Sequence, residues 1–360
     1  MHKLITSTKI LQDQILEILA DSPTYVSVDT EFVRQSSYYP KVGLIQIGHN
    51  KGTLVIDALA CDLDVLKPLF FNAAIIKVFH SARQDLEIFY KVYGEVPYPL
   101  SDLQISAGFL GFGQQVSLES LAEYYLHIQL KKIHRYGDWL KRPLQQSLID
   151  YAYDDAVTIY HLYPIVQNQL NDMGRLEWVQ DLLQDLKKWP ITLESLENVL
   201  KKCRHDLVDD HHIKLFYTLA LWREEQAKFF DKPRAHIIND HAMCVLIKSC
   251  PLVKPDYKSI LAHHAPKSHA LRHQDVRKNL FLYLSDIFEG KISVDIDLDF
   301  LKNKQRVDKS LKERVKQVAD NLDIPINFFL SQTELLALSH NNEELHLLPQ
   351  WKKDALNNLL

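Results

Sequence analysis

Glycine is scarce in this chain, at 10 residues in 360. With the long apolar-periodic stretches of the second half, that scarcity favours helices there. Cysteine is also rare. The four residues, Cys61, Cys203, Cys244 and Cys250, show no CxxC spacing, which argues against a zinc site and for reduced, structural thiols. No run approaches the roughly 18 apolar residues of a membrane span. The opening stretch MHKLITSTKI lacks an apolar core of signal-peptide length, so a cytoplasmic protein is expected. There is little net charge: 42 Lys plus Arg against 46 Asp plus Glu leave -4. A balance near zero excludes a strong global field but not nucleic-acid binding, which depends on local patches. Low-complexity segments and short-period repeats are absent.

What is present is a core-forming composition, 46% apolar, over a length that implies two or three domains. Residues 25–31 (YVSVDTE), 43–48 (GLIQIG) and 53–57 (TLVID) are short, β-branched runs between turn residues. They predict a three-stranded meander. A fourth run, IIKVFH at 75–80, has strand length. Helical patterns follow at 81–91, around 117–126 and over 144–171. Mixed strands and helices indicate an α/β or α+β domain to about residue 190. Beyond Pro190 the patterns are helical only, at 210–230, 240–249, 276–288, 308–321 and 331–338. A helical half of that length fits two small bundles, joined near 289–298.

Three stretches place acids together. In VSVDTEF the strand period puts Asp29 and Glu31 on one face and Val26 and Val28 on the other. Alone, this DxE reads more readily as a solvated strand end than as a site. In VFHSARQDLEIFY the strand ends at His80. Ser81 reads as a helix N-cap with Gln84 as its capping-box partner, which sets Asp85 in the first turn. Alone, that acid is an ordinary partner of the helix dipole. The third stretch is YAYDDAV at 151–157. On a helix turning about 100° per residue, Leu148, Ala152, Ala156, Ile159 and Tyr163 form one stripe. Tyr151 and Asp155, at i and i+4, are neighbours on its edge, and Asp154 points towards solvent.

These stretches resemble the motifs of the ribonuclease D family: DTEFVR at 29–34, HSARQDLE at 80–87 and Tyr-x-x-x-Asp at 151–155. That family is the tyrosine branch of the four-carboxylate 3′-to-5′ exonucleases. YYPKVGLIQIG (38–48), PLSDLQI (99–105) and DWLKRPL (138–144) agree with it. WREEQAKFFDKPRAHIINDHAM at 222–243 resembles the start of an HRDC domain. The last 60 residues look like the second, divergent HRDC-like domain of the family. The resemblance implies an α/β, ribonuclease H-like exonuclease domain at 1–190, a first all-α HRDC domain at 208–290 and a second HRDC-like one at 297–360.

It also implies two divalent cations on Asp29, Glu31, Asp85 and Asp155, with Mg²⁺ or Mn²⁺ favoured by the all-oxygen donor set. Nucleoside 5′-monophosphates would leave one at a time from the 3′ end of RNA, with tRNA-precursor trailers as the foremost substrate. Tyr151, with an ordinary pKa of about 10, is expected to orient the attacking water rather than take its proton. Expected substrate contacts are Phe32, by stacking; His80; and Lys132, Arg135, Lys141 and Arg142 of a basic run that also holds Lys131 and His134. A second basic cluster at 302–316 suits RNA or an ordinary charged helix face. The pairs His211–His212 and His263–His264 diverge on a helix and lack partners at ligand spacing. A monomer is expected. The alternatives are a DNA-directed exonuclease, since the five site residues do not separate the two nucleic acids, and a silent nucleic-acid-binding scaffold, which the intact acids oppose.

Overall fold

The computed structural model describes residues 2–130, 137–187, 210–248, 274–288, 291–292, 309–339, 346 and 348–357. The chain divides into two compact units, one of Met1–Val33, Lys41–Trp189 and Lys302–Leu360, the other of Arg34–Pro40 and Pro190–Leu301.

The first unit is built on a six-stranded sheet of order β1-β4-β3-β2-β5-β6. Its strands are β1 (Leu4–Ile5), β2 (Tyr25–Val33), β3 (Lys41–His49), β4 (Gly52–Asp57), β5 (Ile76–Phe79) and β6 (Leu100–Asp102). The expected meander is β2-β3-β4, paired antiparallel. β5 runs parallel to β2, and β1 and β6 are parallel edge strands. The edge strands, of two and three residues, are too short to show a period in sequence.

Alternation decides the two faces. Val26 and Val28 of β2 are fully buried with Ile45, Ile47 and Ile56, beneath Leu11, Ile15 and Ile18 of helix α1 (Thr8–Ala20). The short helix α2 (Lys67–Phe70) adds Leu69 and Phe70, and helix α3 (Arg83–Tyr93) adds Leu86 and Phe89. Later come α4 (Leu103–Gly108), α5 (Leu118–Leu126), α6 (Gln146–Asp172) and α7 (Leu176–Lys187).

The 27-residue α6 covers the opposite face of the sheet, and two devices seat it. Ser27 Oγ donates to the Ala156 carbonyl at 2.6 Å, while a Cβ on Gly48 would fall 2.2 Å from Ser27 Oγ and 2.9 Å from that same carbonyl. Only glycine permits this approach. One turn on, Pro164 has no N–H for the Tyr160 carbonyl, and the Tyr25 hydroxyl donates to it at 3.4 Å instead.

Lys302–Leu360 shares a buried cluster with α4, α6 and α7, in which Val315, Ala319, Phe328, Phe329 and Leu356 meet Ala107, Leu162 and Val166. Arg175 donates to the carbonyls of Phe109 at 2.6 Å and Leu322 at 2.8 Å. Trp351 donates to Asp181 at 2.8 Å and stacks on Trp178 with ring centroids 4.6 Å apart. Residues 297–360 are expected as a domain of their own, but the described side chains among them form one core with the sheet unit.

The second unit contains helices Asp210–Phe229, Arg234–Ile237, Asp240–Lys248 and Gln274–Phe288, and no strand among its described residues. Trp222, Phe216, Met243, Ile247, Leu280 and Leu284 form its centre together with Tyr38, from the segment joining β2 to β3. Glu224 accepts from the Tyr38 hydroxyl and from Arg234 at 2.7 Å. Asp231 accepts from the amides of Tyr38 and Tyr39, both at 3.1 Å.

Cys61 is a buried free thiol. Cys244 is disulfide-bonded, a correction to the expectation of reduced thiols throughout. Among the described residues no helix is long and apolar enough to cross a membrane.

Candidate active site

The α6-facing side of β2 carries Tyr25, Ser27, Asp29 and Glu31. The first two anchor α6, and the last two are left facing its N-terminal half. Past Glu31 the register slips, pairing Phe32 with Val42 and leaving Gly43 unopposed. A Cβ on Gly43 would lie 2.3 Å from the Trp139 carbonyl, so glycine lets the 139 loop close against the bulge.

Above the strand, Tyr151 and Asp155 project from α6 as the helical period predicts, and Asp154 is exposed. Ligand oxygens of Asp29, Glu31 and Asp155 lie within 4.8 Å of one another. Asp85 does not join that close group. It is buried in the first turn of α3, where its carboxylate accepts from the Thr30 hydroxyl at 2.5 Å. Thr30 lies between Asp29 and Glu31 in sequence and points to the other face, which brings Asp85 beside the group.

Burial and mutual repulsion make these acids hold protons. Burial first, then the Asp85 charge, pushes Asp29 up to about 8. Burial first, then Asp29, pushes Asp155 up to about 8, against a lowering hydrogen bond from Tyr151. Asp85 rises to about 7, chiefly through burial, although the Thr30 hydroxyl opposes the rise. Glu31 is driven well above the carboxylate range by burial and by Asp29, Asp155 and Asp85. Burial, Asp155 and Glu31 raise the Tyr151 phenol, so it stays protonated near neutrality. Carboxylates that repel at this range are relieved by cations between them, and an all-oxygen set fits hard divalent ions. The residues present therefore fit the cations that the motifs imply.

The start of α3 differs from expectation. Ser81 is not its N-cap. It adopts φ 61°, and the cap, Ala82, has no side-chain bond. The Asp102 carboxylate, from β6, accepts from the Ser81 amide at 3.1 Å and the Ala82 amide at 2.8 Å. It also caps α4, accepting from Gln104 at 2.8 Å and Ile105 at 3.3 Å.

Against known proteins, the family described as 3′-5′ exonuclease matches residues 3–171. A ribonuclease D of Bartonella henselae is 33% identical over 264 residues, 72% of this chain and 64% of that protein. One of Jannaschia sp. is 33% identical over 264 residues, 71% of this chain and 67% of that protein. The chain belongs to the ribonuclease D family. The matched stretch spans 64%, 58% and 66% of the first three curated members, less than two thirds of their length. The crystal structure of Escherichia coli RNase D, described as an exoribonuclease involved in structured RNA processing, superposes with TM-score 0.79 at 24% identity. It covers 100% of this chain and 98% of its own. At that identity the likeness concerns the fold.

The other expected contact residues separate. His80 lines a cleft with Asp29, Ser81, Glu119, Tyr151 and Asp155. Burial lowers its pKa, so the ring is neutral at pH 7. Phe32 is half-buried just past the bulge and Lys141 is exposed. Lys132 and Arg135, with Lys131 and His134, lie outside the described residues.

Arg142 is a correction. Its Nε and Nη2 grip Asp57, each at 2.6 Å. Nη1 donates to the carbonyls of Trp139 at 2.8 Å and Lys141 at 2.9 Å, and Nη2 to Gly43 at 2.9 Å. All five guanidinium N–H groups are thereby committed inside the fold, so Arg142 braces the 139 loop and has none left for phosphate. Thr30, Asp102 and Glu119 escaped the sequence reading as site residues. Asp102 stood in the quoted PLSDLQI stretch, but nothing local marks its carboxylate as a cap for a helix 20 residues upstream.

Proposed function

We propose that this member of the ribonuclease D family is a 3′-to-5′ exoribonuclease that hydrolyses RNA from its 3′ end, one nucleoside 5′-monophosphate at a time. The observation that carries the reading is the meeting of Asp29, Glu31 and Asp155 within 4.8 Å, beside Asp85 and under the Tyr151 hydroxyl. In this reading Asp29, Glu31, Asp85 and Asp155 hold two divalent cations, Mg²⁺ or Mn²⁺. Bound there, such a pair supplies charge stabilisation for in-line displacement at phosphorus.

The chain's own groups do the rest. Asp29, Glu31 and Asp155 fix the donor geometry, and the Thr30 hydroxyl holds Asp85 in place. Tyr151 keeps its proton and orients the attacking water through its hydroxyl. Phe32 stacks on the terminal base, His80 contacts the substrate as a neutral donor or acceptor, and Lys132, Arg135 and Lys141 meet the phosphate backbone. The helical regions 208–290 and 297–360, read as HRDC-like modules, extend the RNA surface, and tRNA precursors are the foremost substrates. The same reading makes the protein a cytoplasmic monomer.

The test is degradation of a 5′-labelled single-stranded RNA with Mg²⁺ or Mn²⁺, beside a DNA oligomer of matched sequence. Expected is a ladder shortening from the 3′ end, lost in Asp155→Asn and kept in Asp154→Asn. Faster cleavage of DNA would transfer the reading to a DNA exonuclease. No cleavage of either under either metal would leave a silent binding scaffold.

A further inference from the structure

β3 carries an amide where the fold wants an apolar side chain. Leu44, Ile45 and Ile47 are fully buried around Gln46, which is itself 0% exposed. Neither Gln46 Nε2 nor Oε1 has a hydrogen-bond partner. Burying an unpaired amide costs about 1–3 kcal/mol, so a leucine or methionine would serve the sheet better.

The surroundings show what the amide faces. Gln46 pairs with Asp29 on β2 and with Val55 on β4. Directly opposed residues of an antiparallel pair share a face, with Cβ atoms about 4.5–5.5 Å apart. The next row on that face is Ser27 with Gly48, already fixed against Ala156 of α6, so Gln46 lies between the sheet and α6. Along its strand the same-face neighbours are Leu44 and Gly48, and Val55 lies across on β4. None of them carries a polar side chain. Of the residues directly opposite it or two along its strand, only Asp29 carries a polar side chain. Ser27, Glu31, Thr53 and Asp57 stand diagonally on the same face, and Ser27 and Asp57 are held by the Ala156 carbonyl and by Arg142.

We propose that Gln46 is a positioning residue of the acidic centre, its Nε2–H orienting the Asp29 carboxylate for divalent-cation binding. An ionised carboxylate only accepts hydrogen bonds, so the donor half of the amide makes the contact. Groups that hydrogen-bond a ligating carboxylate set its angle and its basicity, and losing one typically weakens metal binding about 10–100-fold. The unpaired amide lies directly across from Asp29 in the strand register. The inference rests on the cation-binding reading above.

The experiment uses the full chain with Gln46→Met, and with Gln46→Leu as a second apolar replacement. Mn²⁺ binding is measured by titration calorimetry and thermal melting is followed with and without Mn²⁺. Expected is a metal-free melting temperature equal to or above wild type, together with at least about tenfold weaker Mn²⁺ binding. Mn²⁺ affinity equal to wild type in both variants overturns the inference while leaving the cation reading intact. Equal destabilisation with and without Mn²⁺, or failure of both variants to fold, makes Gln46 a packing residue and also overturns it. Absence of Mn²⁺ binding by wild type sinks the cation reading and this inference with it.

Discussion

The Asp102 carboxylate accepts a hydrogen bond from the Ala82 amide at 2.8 Å, and so one side chain at the end of β6 starts the helix that carries Asp85. Because it also caps α4, Asp102→Ala removes two caps at once. The expected loss is about 2–4 kcal/mol, with a fall in exonuclease rate as the first turn of α3 loosens around Asp85. Asp102→Asn, which keeps one accepting oxygen, should lie between. Denaturant midpoints check this. A stability within about 0.5 kcal/mol of wild type for Asp102→Ala would mean that other contacts hold both helix starts.

Tyr151 is half-buried, and its phenol is raised by burial and by Asp155 and Glu31. A group held protonated orients water and does not abstract its proton. Tyr151→Phe is therefore expected to lower the turnover rate about a hundredfold through misplacement of the nucleophile, with Mn²⁺ affinity kept within a few-fold. Single-turnover rates and calorimetric titration separate the two quantities. A variant at full rate would remove Tyr151 from the mechanism.

The raised acids fix the direction of a pH effect. In the unfolded chain Asp155 ionises near 3.8, whereas in the fold it does so at about 8. Between those values the metal-free folded state holds more protons than the unfolded one, so ionisation costs stability progressively as pH rises through that window. Asp155→Asn escapes the cost. Without metal it should match wild type near pH 4 and exceed it by about 5 kcal/mol at pH 8. Added Mn²⁺ should reverse the order, and should raise the wild-type melting temperature more at pH 8 than at pH 6. A gap between the two proteins that stays flat from pH 4 to 8 in chelator would contradict the assignment.

Arg142 sits in a basic run whose pattern suits phosphate contact, but its partner Asp57 has a side chain 4% exposed. Arg142→Ala strands that carboxylate and is expected to cost about 3 kcal/mol. Arg142→Lys should recover only part of it, because an ammonium cannot make the fork. The salt dependence of RNA binding should be unchanged in both. A shallower salt slope at wild-type stability would return Arg142 to the RNA surface.

The chain by itself determined whatever depends on one period or one turn. Alternation put Asp29 and Glu31 opposite Val26 and Val28, and the i to i+4 relation joined Tyr151 to Asp155 and left Asp154 outside. These are consequences of strand and helix geometry, and they survive any packing. The described helices of the second half likewise follow their apolar spacing. Tertiary structure decided what depends on parts distant in sequence. Only the seating of α6, through Ser27 on Ala156 and the missing Cβ of Gly48, brings Asp155 to Asp29 and Glu31. Pairing across strands set Gln46 beside Asp29. A carboxylate 20 residues downstream, not Ser81, capped α3, and Asp57, 85 residues upstream, drew Arg142 inward. Lys302–Leu360 joined the core of the sheet unit because Phe328, Phe329 and Trp351 found apolar partners there. Local pattern states which face a residue takes; hydrogen-bond and charge partners belong to whatever the fold carries to that face.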